Sequence, residues 1–208
     1  MTSIGLISDV HSSPAEVAEA LSIFEDQGVD SVYCAGDIAG YMDQLDETVQ
    51  LLVENDCMTV IGNHDLLHID HHDDEPDTAA IAYLKALPTF IETTLEAKKV
   101  YMVHAQPPDG CHGGIKLLDK KGDLIPEKID YWTKTLGCYD FDVLVVGHTH
   151  QVFAEKLGDI LVVNPGSSVF NNSCAILSLP DMKVEFFALA GKEIQTTWNW
   201  GEHVIYGK

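Results

Sequence analysis

Short apolar runs recur along this chain, and each is followed directly by polar or ionisable residues. The runs are four to seven residues long, which favours buried strands over helices. They predict strands at Ser3–Ser8, Ser31–Ala35, Cys57–Ile61, Thr89–Leu95, Lys99–Val103 and Val143–Val146.

Helical segments are predicted between these strands. Ser13-Pro14-Ala15-Glu16 combines a capping serine, a proline in the first turn and a glutamate at the third position, which predicts a helix start. Gly28 predicts its end. Further helices are predicted from Asp43 to about Glu54, from Asp77 to Leu87 and over Glu127–Leu136, with polar or irregular loops at residues 66–76 and 105–126.

The last third changes character. Short strands follow one another there, and Gly158-Asp159 and Pro180-Asp181 are typical hairpin turns. The strands are predicted at Val152–Lys156, Ile160–Val163, Cys174–Leu179 and Lys183–Leu189. No linker-like segment interrupts the chain, so we predict one domain over residues 1–208. The aromatic tail, with Trp198, Trp200 and Tyr206, fits core packing better than an interface.

Composition limits the partners. The 208 residues include 33 Asp and Glu against 12 Lys and Arg, for a net charge of -21, and all twelve basic residues are lysines. A chain without arginine has no guanidinium fork for phosphate, and its negative field repels nucleic acids. Metal ions must therefore supply the positive charge if an anionic substrate binds.

Cysteine usage and hydropathy indicate a soluble, cytoplasmic protein. The five cysteines are scattered, odd in number and never spaced as CxxC, which disfavours disulfides and structural zinc clusters. No apolar run reaches the length of a membrane span, and the first strand begins without a basic leader.

Candidate chemistry sits just past the strand ends. At that position stand Asp9, His11, Asp37, Asn63, His64, His104, His148 and His150. Loops at the carboxyl ends of strands converge on one crevice, and the i, i+2 spacing of His148 and His150 on an extended backbone points both rings the same way. Oxygen and nitrogen ligands without cysteine suit Mn, Fe, Ni, Co or Zn. The set is too large for one catalytic ion and suits two ions sharing a carboxylate.

Five motifs appear in a fixed order: DxH, GD, GNHD, a lone His after a strand, and GHTH. In that order they resemble the calcineurin-like metallophosphoesterase superfamily, in its short prokaryotic phosphodiesterase branch. The resemblance runs from Asp9 to the turn Asn164-Pro165-Gly166-Ser167. It implies an α/β (α+β) fold, a four-layer αββα sandwich of two mixed β-sheets flanked by helices.

The resemblance also implies roles. Asp9, His11 and His150 would bind one divalent metal, Asn63, His104 and His148 the other, and Asp37 would bridge them. The implied reaction is hydrolysis of a small phosphodiester or phosphomonoester. A metal-bridging hydroxide would attack, and His64 would assist the leaving group. Manganese is the metal we would supply in vitro.

The match weakens after the GD motif. Phosphoprotein phosphatases of this superfamily extend it to GDxVDRG, whereas this chain reads Gly36-Asp37-Ile38-Ala39-Gly40-Tyr41. The difference argues against a phosphoprotein phosphatase and removes one expected carboxylate partner of His64. Asp65 would either orient His64 or cap a helix, and Tyr41 would either line the pocket or pack.

Other interpretations stay open. The superfamily includes a non-catalytic retromer scaffold, but all seven ligand positions are present here. A nuclease is disfavoured by charge, and homo-oligomerisation is not decided by the pattern. His68, His71 and His72 lie among acidic residues, where a solvated segment is favoured over a third metal site. Substrate choice is expected to depend on loops 66–77 and 105–126.

Overall fold

The computed structural model describes residues 1–72 and 78–198, which contain ten strands and five helices. The strands are β1 Thr2–Ile7, β2 Ser31–Cys34, β3 Met58–Thr59, β4 Phe90–Leu95, β5 Lys98–Val103, β6 Val143–Val145, β7 Val152–Leu157, β8 Ile160–Pro165, β9 Ser173–Leu179 and β10 Lys183–Ala188. The helices are α1 Pro14–Asp26, α2 Leu45–Glu54, α3 Asn63–His71, α4 Ala79–Ala86 and α5 Pro126–Leu136.

The strands form two mixed five-stranded sheets. The first sheet has the order β10-β9-β1-β2-β3, in which β1, β2 and β3 run parallel and β9 and β10 pair antiparallel. The second has the order β4-β5-β6-β8-β7, with β5, β6 and β8 parallel and both edge strands antiparallel. The predicted fold class, with two mixed sheets, is confirmed.

Apolar side chains fill three layers. Between the sheets, Leu6 of the first sheet lies in one fully buried cluster with Met102 and Val145 of the second. Helices α1, α2 and α4 cover the outer face of the first sheet, and α5 covers the outer face of the second through Trp132 and Leu136. This gives the predicted αββα layering, because each sheet buries one face on the other sheet and one face on helices.

Several predicted boundaries are wrong. The segment predicted as a polar loop from residue 66 is helical as far as His71. This helix starts at Asn63, because the Asp65 carboxylate accepts the N–H of Gly62 and caps the first turn. Helix α2 begins at Leu45 rather than at a cap on Asp43. Strand β3 is only two residues long, although Val60 N still donates to the Cys34 carbonyl of β2, and Ile61 N donates to the Pro88 carbonyl.

Other element predictions fare better. Helix α1 begins at Pro14 as predicted, with the Ser13 hydroxyl bonded to the Glu16 carboxylate. Helix α4 is capped by Thr78, whose hydroxyl accepts from Ile81 N at 3.2 Å. The predicted cap Asp77, and the tail residues Trp200 and Tyr206, lie outside the described residues. None of the helices in residues 1–72 and 78–198 has the length and apolar character to cross a membrane.

Candidate metal centre

The seven predicted metal ligands come together where strands of the two sheets end. Asp9 and His11 follow β1, Asp37 follows β2, Asn63 opens α3 after β3, His104 follows β5, and His148 and His150 follow β6. Both sheets therefore contribute ligands, as expected where parallel strands end on one crevice.

Three of these residues form the group that we call the deep group: Asp9, His11 and His150. Their ligand atoms all lie within 4.8 Å of one another, and all three residues are buried. His150 Nε2 is 3.3 Å from His11 Nε2 and 3.2 Å from Asp9 Oδ1. One carboxylate oxygen and two imidazole nitrogens thus converge on one point, which suits a divalent transition metal.

A second set, the open group, consists of Asp37, His104 and His148, again with ligand atoms within 4.8 Å. Asn63 joins it, because its Oδ1 lies 3.0 Å from His104 Nε2 and 2.8 Å from His148 Nδ1. Asn63 and His148 are partly exposed. Asp37 groups with His104 and His148, and its bridging role stays a prediction.

The backbone turns sharply at five of these ligands. Asp9, His11, Asp37, His148 and His150 have φ angles of 50°, 45°, 55°, 63° and 48°, in the left-handed region. Such angles are costly outside glycine and persist where the surrounding structure imposes them. The extended-backbone argument for His148 and His150 is therefore wrong in detail, since the two rings serve different groups.

Two glycines permit the close packing behind the ligands. A Cβ on Gly147 would overlap the Ser8 hydroxyl and lie 2.7 Å from Asp9 Oδ2. A Cβ on Gly62 would overlap the Asp37 carboxylate. The glycines of the GHTH and GNHD motifs are thus required because neighbouring chain segments approach the backbone directly.

Carbonyl groups fix two of the histidine rings. His11 Nδ1 is 3.2 Å from the Ala39 carbonyl, and His104 Nδ1 is 2.7 Å from the Ala35 carbonyl. A carbonyl only accepts hydrogen bonds, so Nδ1 carries the proton in both rings. In the neutral ring Nε2 is then left with a lone pair facing the other ligand atoms, as in the histidine ligands of metalloproteins.

The Asn63 side chain tests whether a cation fits. Its Oδ1 faces His104 Nε2 and His148 Nδ1, and it meets only acceptors when neither of these two nitrogens carries a proton. Turning the amide by 180° would let its NH₂ donate to them instead. A cation bound between them would explain the present orientation of the amide, because Asn63 Oδ1 and both ring nitrogens would then act as ligands. The donor set of the open group thus fits a metal ion.

Without a cation, the ligand groups perturb one another. Burial lowers the pKa of His11 and of His148 to about 4. Burial opposes the charged form of His104 too, but the Asp37 carboxylate outweighs it and raises the His104 pKa to about 9. Burial likewise disfavours the ionised form of Asp9, yet His150 beside it keeps that pKa below its usual value. Strong mutual perturbation in a cleft is typical of functional sites.

Asp65 acts on the backbone and not on His64. Its carboxylate accepts from Asp37 N at 3.1 Å, Ala39 N at 2.7 Å and Gly62 N at 2.8 Å. Of the two roles considered, the structure thus selects the helix cap and adds a clamp on the Asp37 loop. Burial, followed by the nearby Asp37 charge, raises the Asp65 pKa to about 7.

Residues after β8 also support the ligands. Ser167 Oγ donates to the Asp9 carbonyl at 2.6 Å, and Asn164 Nδ2 donates to the Gly147 carbonyl at 2.9 Å. Both residues belong to the turn at which the family resemblance ends, and no role was predicted for either. The Ser167 contact joins residues that are 158 positions apart, and no local sequence pattern reveals such a contact.

A cleft of about 380 Å³ opens over these residues. Its described walls are Asp37, Tyr41, Asn63, His64, Gly113, Lys116, His148, Thr149, His150 and Trp198. His64 is held at the start of α3, where its backbone N–H donates to Asp37 Oδ1 at 2.8 Å. Tyr41 and Trp198 therefore line the candidate site. Of the two roles considered for Tyr41, the structure supports lining the pocket.

The long loop 105–126 is pinned beside the cleft. Gln151 is buried, and its Oε1 accepts from Leu117 N at 2.9 Å and from Leu118 N at 3.0 Å. The Thr149 hydroxyl donates to the Ile115 carbonyl at 3.2 Å. The loop residues that reach the cleft, Gly113 and Lys116, thus stand on a fixed backbone.

Sequence reasoning missed Phe170. Its ring stacks on His150 with centroids 5.4 Å apart and on Trp198 at 5.1 Å. A single aromatic residue in a polar turn gave no signal. The ring centroids of His68 on α3 and of His72 just after it are 4.3 Å apart, with the rings tilted by 30°. In the described part of the chain neither residue joins a metal group.

Comparisons with known proteins agree with this geometry. Residues 2–180 match the model of the calcineurin-like phosphoesterase superfamily domain. An uncharacterised protein from Methanocaldococcus jannaschii is 28% identical over 180 residues, covering 78% of this chain and 68% of that protein. A phosphodiesterase from the same organism is 24% identical over 169 residues, covering 78% and 82%. The crystal structure of a hypothetical Pyrococcus horikoshii protein superposes with a TM-score of 0.68 at 15% identity, covering 94% and 89%.

Proposed function

Because this chain belongs to the calcineurin-like phosphoesterase superfamily, we propose that it is a dinuclear metal-dependent phosphoesterase that hydrolyses small phosphodiesters. The observation that carries the proposal is the pair of ligand groups, deep and open, at the base of one cleft. The similarity to a Methanocaldococcus jannaschii phosphodiesterase supports the choice of a diester over a monoester.

In this proposal each group holds one divalent ion. Asp9, His11 and His150 would hold the first ion, Asn63, His104 and His148 would hold the second, and Asp37 would supply the carboxylate shared between the two groups. The ions, when bound, neutralise the phosphate charge and lower the pKa of the attacking water. This chemistry suits a chain of net charge -21 without arginine, which has few cations of its own to offer a phosphate.

We assign the protonation of the leaving oxygen to His64. As the bond between phosphorus and the leaving oxygen breaks, that oxygen gains the electron pair and takes a proton from the His64 ring. The ring lines the cleft beside the open group, and α3 holds its backbone. General acid assistance of this kind contributes about 100-fold to 10,000-fold in rate.

The test is hydrolysis of bis-p-nitrophenyl phosphate beside p-nitrophenyl phosphate by the manganese-loaded full chain. We expect faster turnover of the diester, with about two ions per chain by mass spectrometry. Faster turnover of the monoester would replace the diesterase assignment by a phosphatase. A protein that binds two ions and hydrolyses neither ester would contradict the proposed function and favour a scaffold.

The role of His64 is tested separately. His64→Ala is expected to lower kcat by about 100-fold on a diester with a poor leaving group. Metal content is expected to stay at the wild-type value, because the His64 side chain belongs to neither ligand group. A variant that loses its metal together with its activity would show that His64 acts in metal binding instead.

A further inference from the structure

The His64 ring has a hydrogen-bond partner that the sequence did not reveal. Tyr41 Oη lies 3.0 Å from His64 Nε2. In the GDxVDRG pattern of the phosphoprotein phosphatases, Gly40 would stand at the second aspartate and Tyr41 at the arginine. The chain thus lacks that carboxylate but offers a phenol to the same histidine.

The backbone around Tyr41 is fixed on both sides. Before it, Ala39 N donates to the buried Asp65 carboxylate at 2.7 Å. After it, Met42 N donates to the His11 carbonyl at 3.2 Å. The tyrosine therefore projects from a loop that is attached both to helix α3 and to a predicted metal ligand.

Ring contacts hold the Tyr41 side chain as well. Its centroid lies 4.7 Å from that of His11 and 5.5 Å from that of Phe170, both edge to face. The centroid of the His64 ring also lies 4.7 Å from that of Tyr41. These ring contacts orient the aromatic part of Tyr41, which is 47% exposed at the cleft, and the hydroxyl group is the part that contacts His64 Nε2.

From this geometry we propose that Tyr41 is the positioning residue of His64. Its hydroxyl group fixes the orientation of the imidazole in the cleft, so that the ring meets the leaving oxygen of the substrate. The inference rests on the proposed function, because it assigns His64 to the leaving group.

A phenol suits this task because its oxygen accepts a hydrogen bond from a ring N–H without carrying a charge. Since Tyr41 Oη lies at His64 Nε2, the proton given to the leaving oxygen comes from His64 Nδ1. The neutral ring keeps its Nε2–H, so the contact with Tyr41 persists before and after the transfer, and no proton leaves Tyr41. It also adds no further negative charge beside Asp37.

The decisive variant is Tyr41→Phe, which keeps the ring contacts and removes only the hydroxyl group. On diphenyl phosphate, whose phenol leaves poorly, we expect kcat to fall by about fivefold. On bis-p-nitrophenyl phosphate, whose leaving group needs little protonation, we expect kcat to fall less than about twofold. KM and metal content are expected to remain at wild-type values. Tyr131→Phe on the exposed face of α5 is the matched control and should change neither rate.

A double variant and a spectrum separate positioning from general damage. In the His64→Ala background, Tyr41→Phe is expected to have no further effect on either substrate. In the metal-free protein, Tyr41→Phe is expected to shift the ¹⁵N resonances of the His64 ring. Equal losses on both substrates, a further loss without His64, or unmoved His64 resonances would each overturn the inference. If the wild-type protein hydrolyses neither ester, the proposed function fails, and the resonances still decide whether Tyr41 fixes His64.

Discussion

The deep group and the open group use similar ligands but meet solvent differently. In the deep group Asp9 and His11 are fully buried, and of its three residues only His150, which is 5% exposed, is among the described walls of the cleft. In the open group, Asp37, Asn63 and His148 all line the cleft. The open group is therefore the one that a substrate reaches first, and the deep group is the one that the fold encloses.

The two groups are joined unequally through their side chains, although the backbone carbonyl of Asp37 in the open group also accepts from His11 N of the deep group at 3.0 Å. The Asp9 carboxylate accepts from His148 N at 3.0 Å, so a deep ligand fixes the backbone of an open one. Asp9 in turn is held by Ser8 Oγ at 2.6 Å and, through its carbonyl, by Ser167. We infer that the deep group forms part of the framework on which the open group is built, in the manner of outer-sphere support for a metal site.

Asp37→Asn is expected to give the largest effect, since Asp37 is the proposed link between the two groups. Asparagine keeps the shape and an oxygen for the His64 N–H, but it loses the charge that binds and bridges metal. We expect activity to fall by more than the roughly 100-fold cost of losing an outer-sphere partner. Steady-state kinetics and metal analysis check this result, with Asp181→Asn in the β9–β10 turn as the control. An active, metal-free Asp37→Asn protein would refute the proposed mechanism.

The unequal dependence is tested by a pair of single substitutions. His148→Gln removes an open ligand and leaves the deep group untouched, so we expect one ion per chain. Asp9→Ala removes a deep ligand and also the acceptor of His148 N, so we expect both ions to be lost. Metal counting by mass spectrometry distinguishes the two variants. Equal metal content in both would show that the groups assemble independently.

The site could be predicted from sequence because its ligands follow strands. A short apolar run followed by Asp37 or His104 gives both the strand and the position of the ligand at its end. The order of five motifs then identified the family, and the match over residues 2–180 confirms that resemblance.

The supporting contacts could not be predicted in this way. Asp65 clamps the Asp37 loop across 28 positions, and Tyr41 meets His64 across 23 positions. Such pairs arise from tertiary packing, which leaves no periodicity in the sequence. The extent of helix α3 was missed for a related reason: its residues are mostly polar, and the cap that starts it accepts from the backbone of Gly62.

Gln151→Leu sharpens the comparison because it removes hydrogen bonds to the loop beside the cleft and leaves both ligand groups in place. Leucine has similar volume but leaves the buried N–H groups of Leu117 and Leu118 without their acceptor. We expect the free energy of unfolding to fall by about 3 kcal/mol and kcat/KM by about tenfold, since the loop beside the open group shifts. Metal content should stay unchanged. Denaturant titration and steady-state kinetics test this, with Gln50→Leu at an exposed position of α2 as the control. A loss of metal would contradict the expectation that Gln151 supports only the loop beside the cleft.

Lys116→Ala is expected to give the smallest effect and to touch only substrate binding. Lys116 is the one lysine among the described residues that line the cleft, and it stands between the buried Ile115 and Leu117. An exposed cation of this kind contributes about 1 kcal/mol or less, so we expect KM for the diester to rise about threefold. The rise should shrink at high salt, because screening already weakens the contact in the wild type. Lys121→Ala in the same loop, outside the described cleft lining, should leave KM unchanged. Equal effects of the two substitutions on KM would mean that Lys116 acts through net charge alone. A lowered metal content in Lys116→Ala would mean that the ligand groups depend on the cleft wall for metal binding.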